Sequence, residues 1–365
     1  MAKPALYALL GRLLPSRHAP PVSPRRIVLI QPCCIGDVVL ATATLQALRR
    51  RYPAAHITWA VGQWSRAAVA GHDLLDDLLD TGKSALPVGS VGALWQFVRQ
   101  LRAGRYDLAV SLVRSPRMSL AVWLSGIPQR AGIDSDGRGF GYNLRAAIDP
   151  RQARHEAEIY LDVARLLGAD TTDCYANIPV TAADTERVQS LVATHGISSP
   201  FMLINPAGGS NPGMLMDAKR YPPAQLAQLA EQLSVALSHT IVMVAGPQDG
   251  ALVDAVSAQL ATPPVCFVGT LSFAEIAALA RLSQLYIGND TGLTHLAAAA
   301  GAKTVMLMGP SDPRRYAPFA RDAIAIWKPS VLHAEGVTAG TPPGWDWAHD
   351  GIGVDEAYAR IMAFV

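Results

Sequence analysis

Short apolar runs alternate with longer amphipathic segments along almost the whole chain. Each run has the length of a strand, and most segments between the runs have helical length and spacing. Continuous apolar runs, rather than strict alternation of apolar and polar residues, are typical of strands buried on both faces of a parallel sheet. The predicted strands are 26–31, 56–62, 106–113, 201–207, 240–247, 265–269, 285–290 and 303–309.

Helical patterns fill the gaps between these strands. Because right-handed crossovers join parallel strands, the alternation predicts an α/β fold with doubly wound sheets. The stretch TAGTPPGWDWAHDG, before the last helix, is rich in turn formers and aromatic residues and is predicted to be a loop. The predicted helices are 36–52, 91–105, 116–127, 155–169, 222–237, 251–261, 272–283, 291–300 and 354–365.

A chain of 365 residues favours two domains over one. The boundary is expected within 177–200, around NIPVTAADTERV and GISSP. Two facing domains of this kind would leave a central cleft at the carboxyl ends of both sheets, where ligands bind in open α/β folds. The predicted parts are an N-terminal helix and linker (1–24), a first Rossmann-like domain (25–190), a second one (191–330), and a C-terminal loop and helix that could pack back on the first domain (331–365).

The amino-acid composition argues against several classes of protein. Half of the residues are hydrophobic and 16% are charged, which excludes wholesale disorder. The net charge of +2, from 31 basic and 29 acidic residues, gives no support for a nucleic-acid partner. No apolar run reaches the roughly 18 residues that span a bilayer. Four cysteines without a CxxC or Cys/His cluster, and scattered histidines, predict a reduced, cytoplasmic chain without a metal site.

The first residues, MAKPALYALLGRLLPSRHAPPVSPRR, predict a short amphipathic helix followed by a Pro-rich linker. One interpretation is an ordinary surface helix packed on the body of the protein. The other is a helix that binds weakly to a membrane surface, which basic residues would assist. Those residues are Arg12, Arg17, Arg25 and Arg26.

The strongest local signal is YIGNDTGLTHLAAAAG, where a strand ends and a helix begins. Asp290 is predicted to cap that helix. His295 lies four residues after Thr291, so both can face one ligand. The alternative is a plain capped helix with a core histidine. The free N–H groups that would donate to a phosphate belong to Thr291, Gly292 and Leu293.

A second candidate is NPAGGSNPGMLMDAKRYPP, where another strand feeds a glycine loop, Gly208-Gly209-Ser210. Lys219 and Arg220 follow, just before two prolines that begin a helix. A cation here could neutralise charge on a departing phosphate. Solvated surface charge is the alternative for either residue alone.

The third candidate is QPCCIGDVVL, which follows the first strand. Asp37 falls in the first turn of the next helix, where the dipole stabilises a carboxylate, and it could serve as a general base. Gly36 is predicted to make the turn. Cys33 and Cys34 are predicted to be small packing residues rather than ligands or a redox pair, because disulfide geometry does not suit neighbouring residues.

Several familiar fingerprints are absent. No GxxxxGK[ST] follows a strand, which argues against a P-loop NTPase, and no GxGxxG with a downstream acid supports a dehydrogenase. The hydrolase GxSxG and the zinc HExxH are missing as well.

Taken together, the three stretches resemble glycosyltransferase family 9, the ADP-heptose:lipopolysaccharide heptosyltransferases. RRIVLIQPCCIGDVVLATATLQALRRRYP is similar to the family's opening, and FMLINPAGG…KRYPP to the start of its second domain. LYIGNDTGLTHLAAAAG is similar to its donor-phosphate segment, and MGPSDPRRYAPF to the turn that follows. Two stretches depart from the pattern: GMLMDA lengthens the segment before Lys219, and SLVRSPR replaces the usual strand end on the acceptor side.

The resemblance implies a GT-B fold and an inverting transfer without metal or other cofactor. It implies that Asp37 deprotonates the acceptor hydroxyl and that Lys219 steadies the leaving diphosphate. Gln248 or Asp249 would lie near the donor ribose. Other donor-binding residues are expected to be Gly208, Ser210, Asp290, Thr291, Gly292, Leu293 and His295. On the acceptor side, the expected residues are Gly36, Arg114 and Arg117.

The predicted function is transfer of heptose from ADP-heptose to a lipopolysaccharide inner-core acceptor. The expected partners are therefore a nucleotide sugar and a glycolipid, with peripheral contact at the cytoplasmic face of the inner membrane. One alternative is a GT-B transferase with another nucleotide sugar or a protein acceptor. Another is a non-catalytic nucleotide-sugar-binding module.

Overall fold

The computed structural model describes Tyr7 and residues 23–197, 200–211, 214–329 and 344–365. Tertiary contacts divide the chain into two compact units, of which the first ends at Cys174 and the second begins at Tyr175. The predicted N-terminal helix lies outside the described residues, apart from Tyr7, whose ring stacks on Phe140 with centroids 6.0 Å apart. Among the described residues, no helix combines the length and apolarity needed to cross a membrane.

The first unit contains one sheet of six parallel strands in the order β3-β2-β1-β4-β5-β6. These strands are β1 (Arg26–Ile30), β2 (His56–Val61), β3 (Asp77–Asp80), β4 (Leu108–Ser111), β5 (Gln129–Ser135) and β6 (Leu144–Ile148). Its helices are α1 (Ile35–Arg51), α2 (Val91–Ala103), α3 (Pro116–Leu124) and α4 (Glu156–Leu166).

The second unit repeats this plan with the strand order β11-β10-β7-β12-β13-β14, again all parallel. Its sheet strands are β7 (Phe201–Asn205), β10 (Thr240–Ala245), β11 (Val265–Val268), β12 (Leu285–Asn289), β13 (Thr304–Leu307) and β14 (Ala323–Ile326). Two short strands, β8 (Ser210–Asn211) and β9 (Met214–Leu215), form a separate hairpin. Its helices are α5 (Ala182–Thr194), α6 (Pro223–Leu237), α7 (Gly250–Ser257), α8 (Phe273–Leu282), α9 (Gly292–Ala299), α10 (Pro313–Tyr316), α11 (Trp347–Asp350) and α12 (Val354–Met362).

Counted within its own unit, each sheet has the order 3-2-1-4-5-6 of a Rossmann domain, which confirms the predicted doubly wound α/β class. In this order the second and third strands lie on one side of the first strand, and the fourth to sixth strands lie on its other side. The loops that follow the first and fourth strands are where such folds bind ligands. Ligand-binding loops are therefore expected after β1 and β4 in the first unit, and after β7 and β12 in the second.

Four strands of the two six-stranded sheets were not predicted, and their sequences explain why. β3 reads DLLD and β5 reads QRAGIDS, so neither forms a continuous apolar run. In β5, buried Arg130 donates hydrogen bonds to the carbonyls of Ile127 and Gly141, which lets a charged side chain lie in the interior. β6 and β14 are short and are flanked by charged residues.

The division between the units lies earlier than the predicted boundary between residues 190 and 191, which falls inside α5. That helix starts with a capping box, in which Thr181 and Asp184 exchange side-chain and backbone hydrogen bonds. It packs against α8 of the second unit. The polar residues of NIPVTAADTERV, where the boundary is predicted, instead cap this helix of the second unit.

The C-terminal helix α12 also belongs to the second unit. Its residues Val354, Ala357 and Ile361 form one apolar stripe that packs into the same core as Leu229 and Leu233 of α6. This packing replaces the expectation that residues 331–365 pack back on the first domain. The predicted loop before α12 contains the short helix α11, and residues 330–343 lie outside the described part of the chain.

Candidate active site

The turn between β1 and α1 is made at Cys34, so the prediction that Gly36 makes it is wrong. Cys34 has φ 68° and ψ 116°, whereas Gly36 already lies in the first turn of α1. A residue other than glycine in such a conformation costs about 1–3 kcal/mol, and it persists only where the surrounding structure holds it. The packing of β1 and α1 thus sets the turn.

Asp37, in the first turn of α1, accepts a hydrogen bond from a buried tyrosine. Tyr160 of α4 donates its hydroxyl to Oδ1 of Asp37 over 2.9 Å. Burial, followed by the negative charges of Asp37 and Glu156, holds the pKa of the Tyr160 phenol well above its ordinary value. The phenol therefore keeps its proton and fixes one carboxylate oxygen of the partly exposed Asp37.

A second charged pair lies beside this hydrogen bond. Glu156, one helical turn before Tyr160, is 1% exposed, and its Oε2 is 2.5 Å from Nη2 of Arg114. Both charges act on the Tyr160 phenol. Arg114 is thus held near the candidate base, while Arg117 donates to the carbonyl of Gly89. The protein itself provides a partner for each predicted acceptor-side arginine.

In the second unit, Asn289 joins the two loops at the point where the strand order reverses. Its Nδ2 donates to the carbonyls of Pro206 and Ala207, and its Oδ1 accepts the backbone N–H of Tyr221 at 2.9 Å. A Cβ on Gly208 would lie 3.3 Å from Cβ of Thr291, so the loops come close enough to favour glycine there. The side chain of Asn289 is a positioning element that sequence patterns did not reveal.

Lys219 and Asp290 form a buried ion pair at this point. Nζ of Lys219 lies 2.6 Å from Oδ2 of Asp290, and the two side chains are 13% and 6% exposed. Burial alone would raise the pKa of Asp290, but Lys219 and then His295 outweigh it and hold that pKa below its ordinary value. The carboxylate is therefore ionised, and the lysine is directed to the start of α9.

Asp290 does not cap α9, so that prediction is wrong. Thr291 occupies the cap position with extended backbone, and no side chain accepts a hydrogen bond there. Attraction to Lys219 explains why the Asp290 carboxylate points elsewhere. The N–H groups of Gly292 and Leu293, which have no partner within a helix, lie in a partly exposed turn, whereas His295 is buried.

The segment before Lys219 reaches the site through the hairpin β8–β9. The backbone N–H of Met216 donates to the carbonyl of Gly209 over 2.8 Å, and a 3₁₀ turn at Asp217–Lys219 follows. Gly209 has φ 72°, and a Cβ on it would lie 2.2 Å from the Met216 carbonyl oxygen. Residues 214–218 therefore form a compact return that brings Lys219 to Asp290.

Arg220, the other predicted cation, braces this loop. Its Nε donates to the Gly208 carbonyl over 2.8 Å, and its guanidinium also pairs with Asp217. Exposed Ser210 lies in the hairpin. After β10, Gln248 is exposed, while the Asp249 carboxylate folds back over Gly246.

An aromatic cluster supports the Lys219 turn from the C-terminal segment. The ring of Trp347 meets Tyr221 edge to face at 5.1 Å and Trp345 at 5.0 Å. A Cβ on Gly309 would lie 2.5 Å from the Ala218 carbonyl oxygen and 2.8 Å from Cζ2 of Trp347. Trp347 therefore packs against Tyr221, which follows the Lys219 turn, and Gly309 lies between Trp347 and Ala218.

The site residues fall into two groups, one in each unit. Asp37, Tyr160, Glu156 and Arg114 form the first group, and Lys219, Asp290 and the α9 turn form the second. In the ranges that the structure describes, histidine, cysteine, aspartate and glutamate side chains do not gather in threes or more that could hold a metal ion.

Comparison with known proteins identifies the family of the chain. The sequence model of glycosyltransferase family 9 (heptosyltransferase) matches residues 94–338. Lipopolysaccharide heptosyltransferase 2 of Escherichia coli strain K12 is 26% identical over 311 residues, which cover 82% of this chain and 87% of that protein. Lipopolysaccharide heptosyltransferase 3 of Escherichia coli is 24% identical over 298 residues, which cover 80% of this chain and 86% of that protein.

Solved structures share the fold. A glycosyl transferase family 9 protein from Veillonella parvula superposes with a TM-score of 0.75 at 24% identity, covering 93% of this chain and 97% of that one. ADP-heptose lps heptosyltransferase II of Escherichia coli gives 0.70 at 21% identity, covering 93% and 98%. These similarities confirm the GT-B class of two Rossmann-like domains. Since the family model spans well over half of the sequence, the chain belongs to glycosyltransferase family 9 and is a glycosyltransferase.

Proposed function

We propose that this glycosyltransferase moves heptose from ADP-heptose to a lipopolysaccharide core acceptor, with inversion at the anomeric carbon and without a metal ion. The observation that carries the proposal is the buried Lys219–Asp290 pair at the N-terminus of α9. It combines a cation with free N–H groups, which are the donors that a diphosphate needs. The relatives named as lipopolysaccharide heptosyltransferases support this choice of donor and acceptor.

The second unit would hold the donor. The N–H groups of Gly292 and Leu293 and the positive end of the α9 dipole would bind the diphosphate. Lys219 would neutralise the charge that grows on ADP as the glycosidic bond breaks. Asp290 would not bind the diphosphate itself, because a carboxylate repels phosphate. Its role would be to hold the ammonium group of Lys219 in place. This arrangement supplies what a divalent cation would otherwise supply.

The first unit would supply the base. Asp37 would accept the proton of the acceptor hydroxyl, and that oxygen would attack the anomeric carbon from the side opposite to ADP. A single displacement of this kind inverts the configuration and needs no second carboxylate as nucleophile. Tyr160, by donating to Oδ1, would hold the carboxylate in one orientation for that proton transfer.

The acceptor is proposed to be a glycolipid, because the named relatives act on lipopolysaccharide or lipooligosaccharide. Contact with the inner membrane remains a prediction from the N-terminal segment. A protein that only bound nucleotide sugars would not need the Tyr160–Asp37 pair. This favours the catalytic hypothesis over the binding-module alternative.

Binding measurements test the donor. We expect calorimetry with ADP, UDP and GDP to give the tightest binding with ADP. Equal or better binding of UDP or GDP would contradict ADP-heptose as donor and leave the family assignment intact. Buffer containing EDTA in all titrations would test at the same time whether nucleotide binding needs a metal.

Removing the hydroxyl that holds Asp37 should slow transfer moderately. We expect Tyr160→Phe to lower kcat by about tenfold, which corresponds to losing one hydrogen bond to a charged group at about 1.5 kcal/mol. ADP affinity should not change, since Tyr160 lies in the first unit. Tyr142→Phe is a matched control, because this buried tyrosine of the same unit donates over the same 2.9 Å, but to Ser111. An equal loss in both variants would contradict a specific role for Tyr160.

Removing the aromatic support of the Lys219 turn should weaken donor binding. We expect Trp347→Ala to raise the Kd for ADP by about tenfold, or about 1.4 kcal/mol, because Tyr221, two residues after Lys219, loses the ring that packs against it. Trp347→Phe should restore most of the affinity by keeping an aromatic ring beside Tyr221. Unchanged ADP binding in the alanine variant would show that the turn holds its shape without the tryptophan.

A further inference from the structure

Cys33 and Cys34 form a close thiol pair that the proposed reaction does not use. Their Sγ atoms are 3.3 Å apart, and neither cysteine is in a disulfide. A disulfide would bring the sulfurs to about 2.0 Å, so the pair is near but unbonded. Cys33 is 8% exposed and Cys34 is partly exposed. A reagent can therefore reach the pair through Cys34.

The backbone brings the two thiols together. Neighbouring side chains of an extended chain point to opposite sides. The positive φ of Cys34 interrupts that alternation directly before α1, and the two sulfurs come within contact of each other. The folded protein thus holds the two sulfur atoms side by side before any other molecule binds. The entropy cost of bringing them together has already been met on folding.

We propose that Cys33 and Cys34 form a dithiol binding site for trivalent organoarsenicals. Soft thiolate sulfur suits soft, thiophilic centres of this kind. An organoarsenic dihydroxide would react with both thiols: two As–O bonds break, two As–S bonds form, and the two thiol protons leave in two molecules of water. Arsenic stays trivalent, so no oxidant or reductant is needed.

The electrostatics of the pair agree with this reactivity. A hydrogen bond from Cys34, which outweighs the effect of burial, lowers the pKa of the Cys33 thiol. Thiolate is the form of cysteine that binds and attacks. Once a reagent has reached the pair through Cys34, the thiolate form of Cys33 favours closure of the two-sulfur ring.

The other two cysteines provide a contrast within the same chain. Cys174 is buried beside Arg50, and Cys266 is exposed beside Ser257. Neither has a second cysteine next to it in the sequence. Each could form only one As–S bond, which a competing monothiol would displace, whereas a two-sulfur ring would persist.

Intact-mass spectrometry of the full chain with phenylarsine oxide tests the proposal. In the presence of excess glutathione, we expect one retained adduct per chain, which a dithiol such as 2,3-dimercaptopropanol removes. Cys33→Ser and Cys34→Ser should each lose the adduct, and Cys266→Ser should keep it. Since φ is positive at residue 34, Cys34→Gly is a second variant that suits the backbone and should also lose the adduct.

Two results would overturn the site: no retained adduct on the wild-type chain, or an adduct that persists in both Cys33→Ser and Cys34→Ser. This readout does not depend on catalysis. A second readout rests on the proposed function, because the adduct would lie in the same turn as Asp37 and should abolish transfer until the dithiol is added. Untreated protein that shows no transfer would count against the proposed function and not against the dithiol site.

Discussion

Replacing Asp37 with asparagine should lower kcat for heptose transfer by about 10² to 10⁴-fold, the usual contribution of a positioned general base. The amide cannot accept the acceptor proton. Its oxygen can still accept the hydrogen bond from Tyr160, so the local structure should survive. ADP affinity should stay unchanged, because the donor groups lie in the other unit. Steady-state kinetics and calorimetry on the same sample measure both quantities.

Asp77→Asn is a suitable control for this experiment. Asp77 is an exposed aspartate of the same unit, and its carboxylate accepts only from the adjacent backbone N–H of Leu78 among the hydrogen bonds described. The control should retain wild-type turnover. An Asp37→Asn enzyme with near wild-type kcat would contradict the assignment of the base. A loss of ADP affinity would indicate a structural effect instead.

Replacing Lys219 with methionine should both destabilise the second domain and abolish donor activation. Methionine keeps much of the length of the side chain but leaves the buried Asp290 carboxylate without its cation. Breaking a buried pair by removing one partner costs about 3–5 kcal/mol. We expect a loss of that size in the free energy of unfolding, together with weaker ADP binding and a strongly lowered kcat.

The double variant Lys219→Met/Asp290→Asn separates the two effects. With the buried charge removed as well, most of the stability should return, because a neutral pair carries no uncompensated charge. Turnover should stay low, since no cation faces the leaving diphosphate. A double variant that recovered both stability and turnover would reduce Lys219 to a structural role. Chemical denaturation and transfer assays on the wild type, the two single variants Lys219→Met and Asp290→Asn, and the double variant complete the cycle.

The pH dependence of stability gives an independent check on this pair. Because the pKa of Asp290 is lower in the folded than in the unfolded protein, the pair stabilises the fold above the ordinary aspartate value of about 4. That contribution should disappear as the pH falls through the folded-state value. The stability advantage of wild type over Lys219→Met should therefore shrink as the pH falls and be gone below the folded-state pKa of Asp290.

Much of the fold follows from the sequence because local patterns determine it. Buried parallel strands need continuous apolar runs, and β1, β7, β10 and β12 have them. The strands without such runs were missed, since their burial depends on partners elsewhere in the chain. Buried Arg130 is one example, because its carbonyl acceptors come from separate segments.

The candidate site was predictable in its loops but not in its contacts. A strand that ends in a glycine turn before a helix locates Asp37 and Asp290 from local sequence alone. Tyr160 could not be found this way, because it is 123 residues from Asp37. The ion pair of Lys219 and Asp290 likewise joins residues that are 71 positions apart in the sequence. Local signals also favoured glycine for the turn that Cys34 makes.

The most direct test of the account is acceptor-dependent release of ADP in EDTA. Purified protein would be mixed with ADP-heptose and a truncated core glycolipid. The amount of ADP released would then be compared with the amount of glycosylated product. The account predicts ADP release that requires the glycolipid, equals the product formed, and persists without divalent metal. No release, equal release without the glycolipid, or release only after a metal is restored would contradict it.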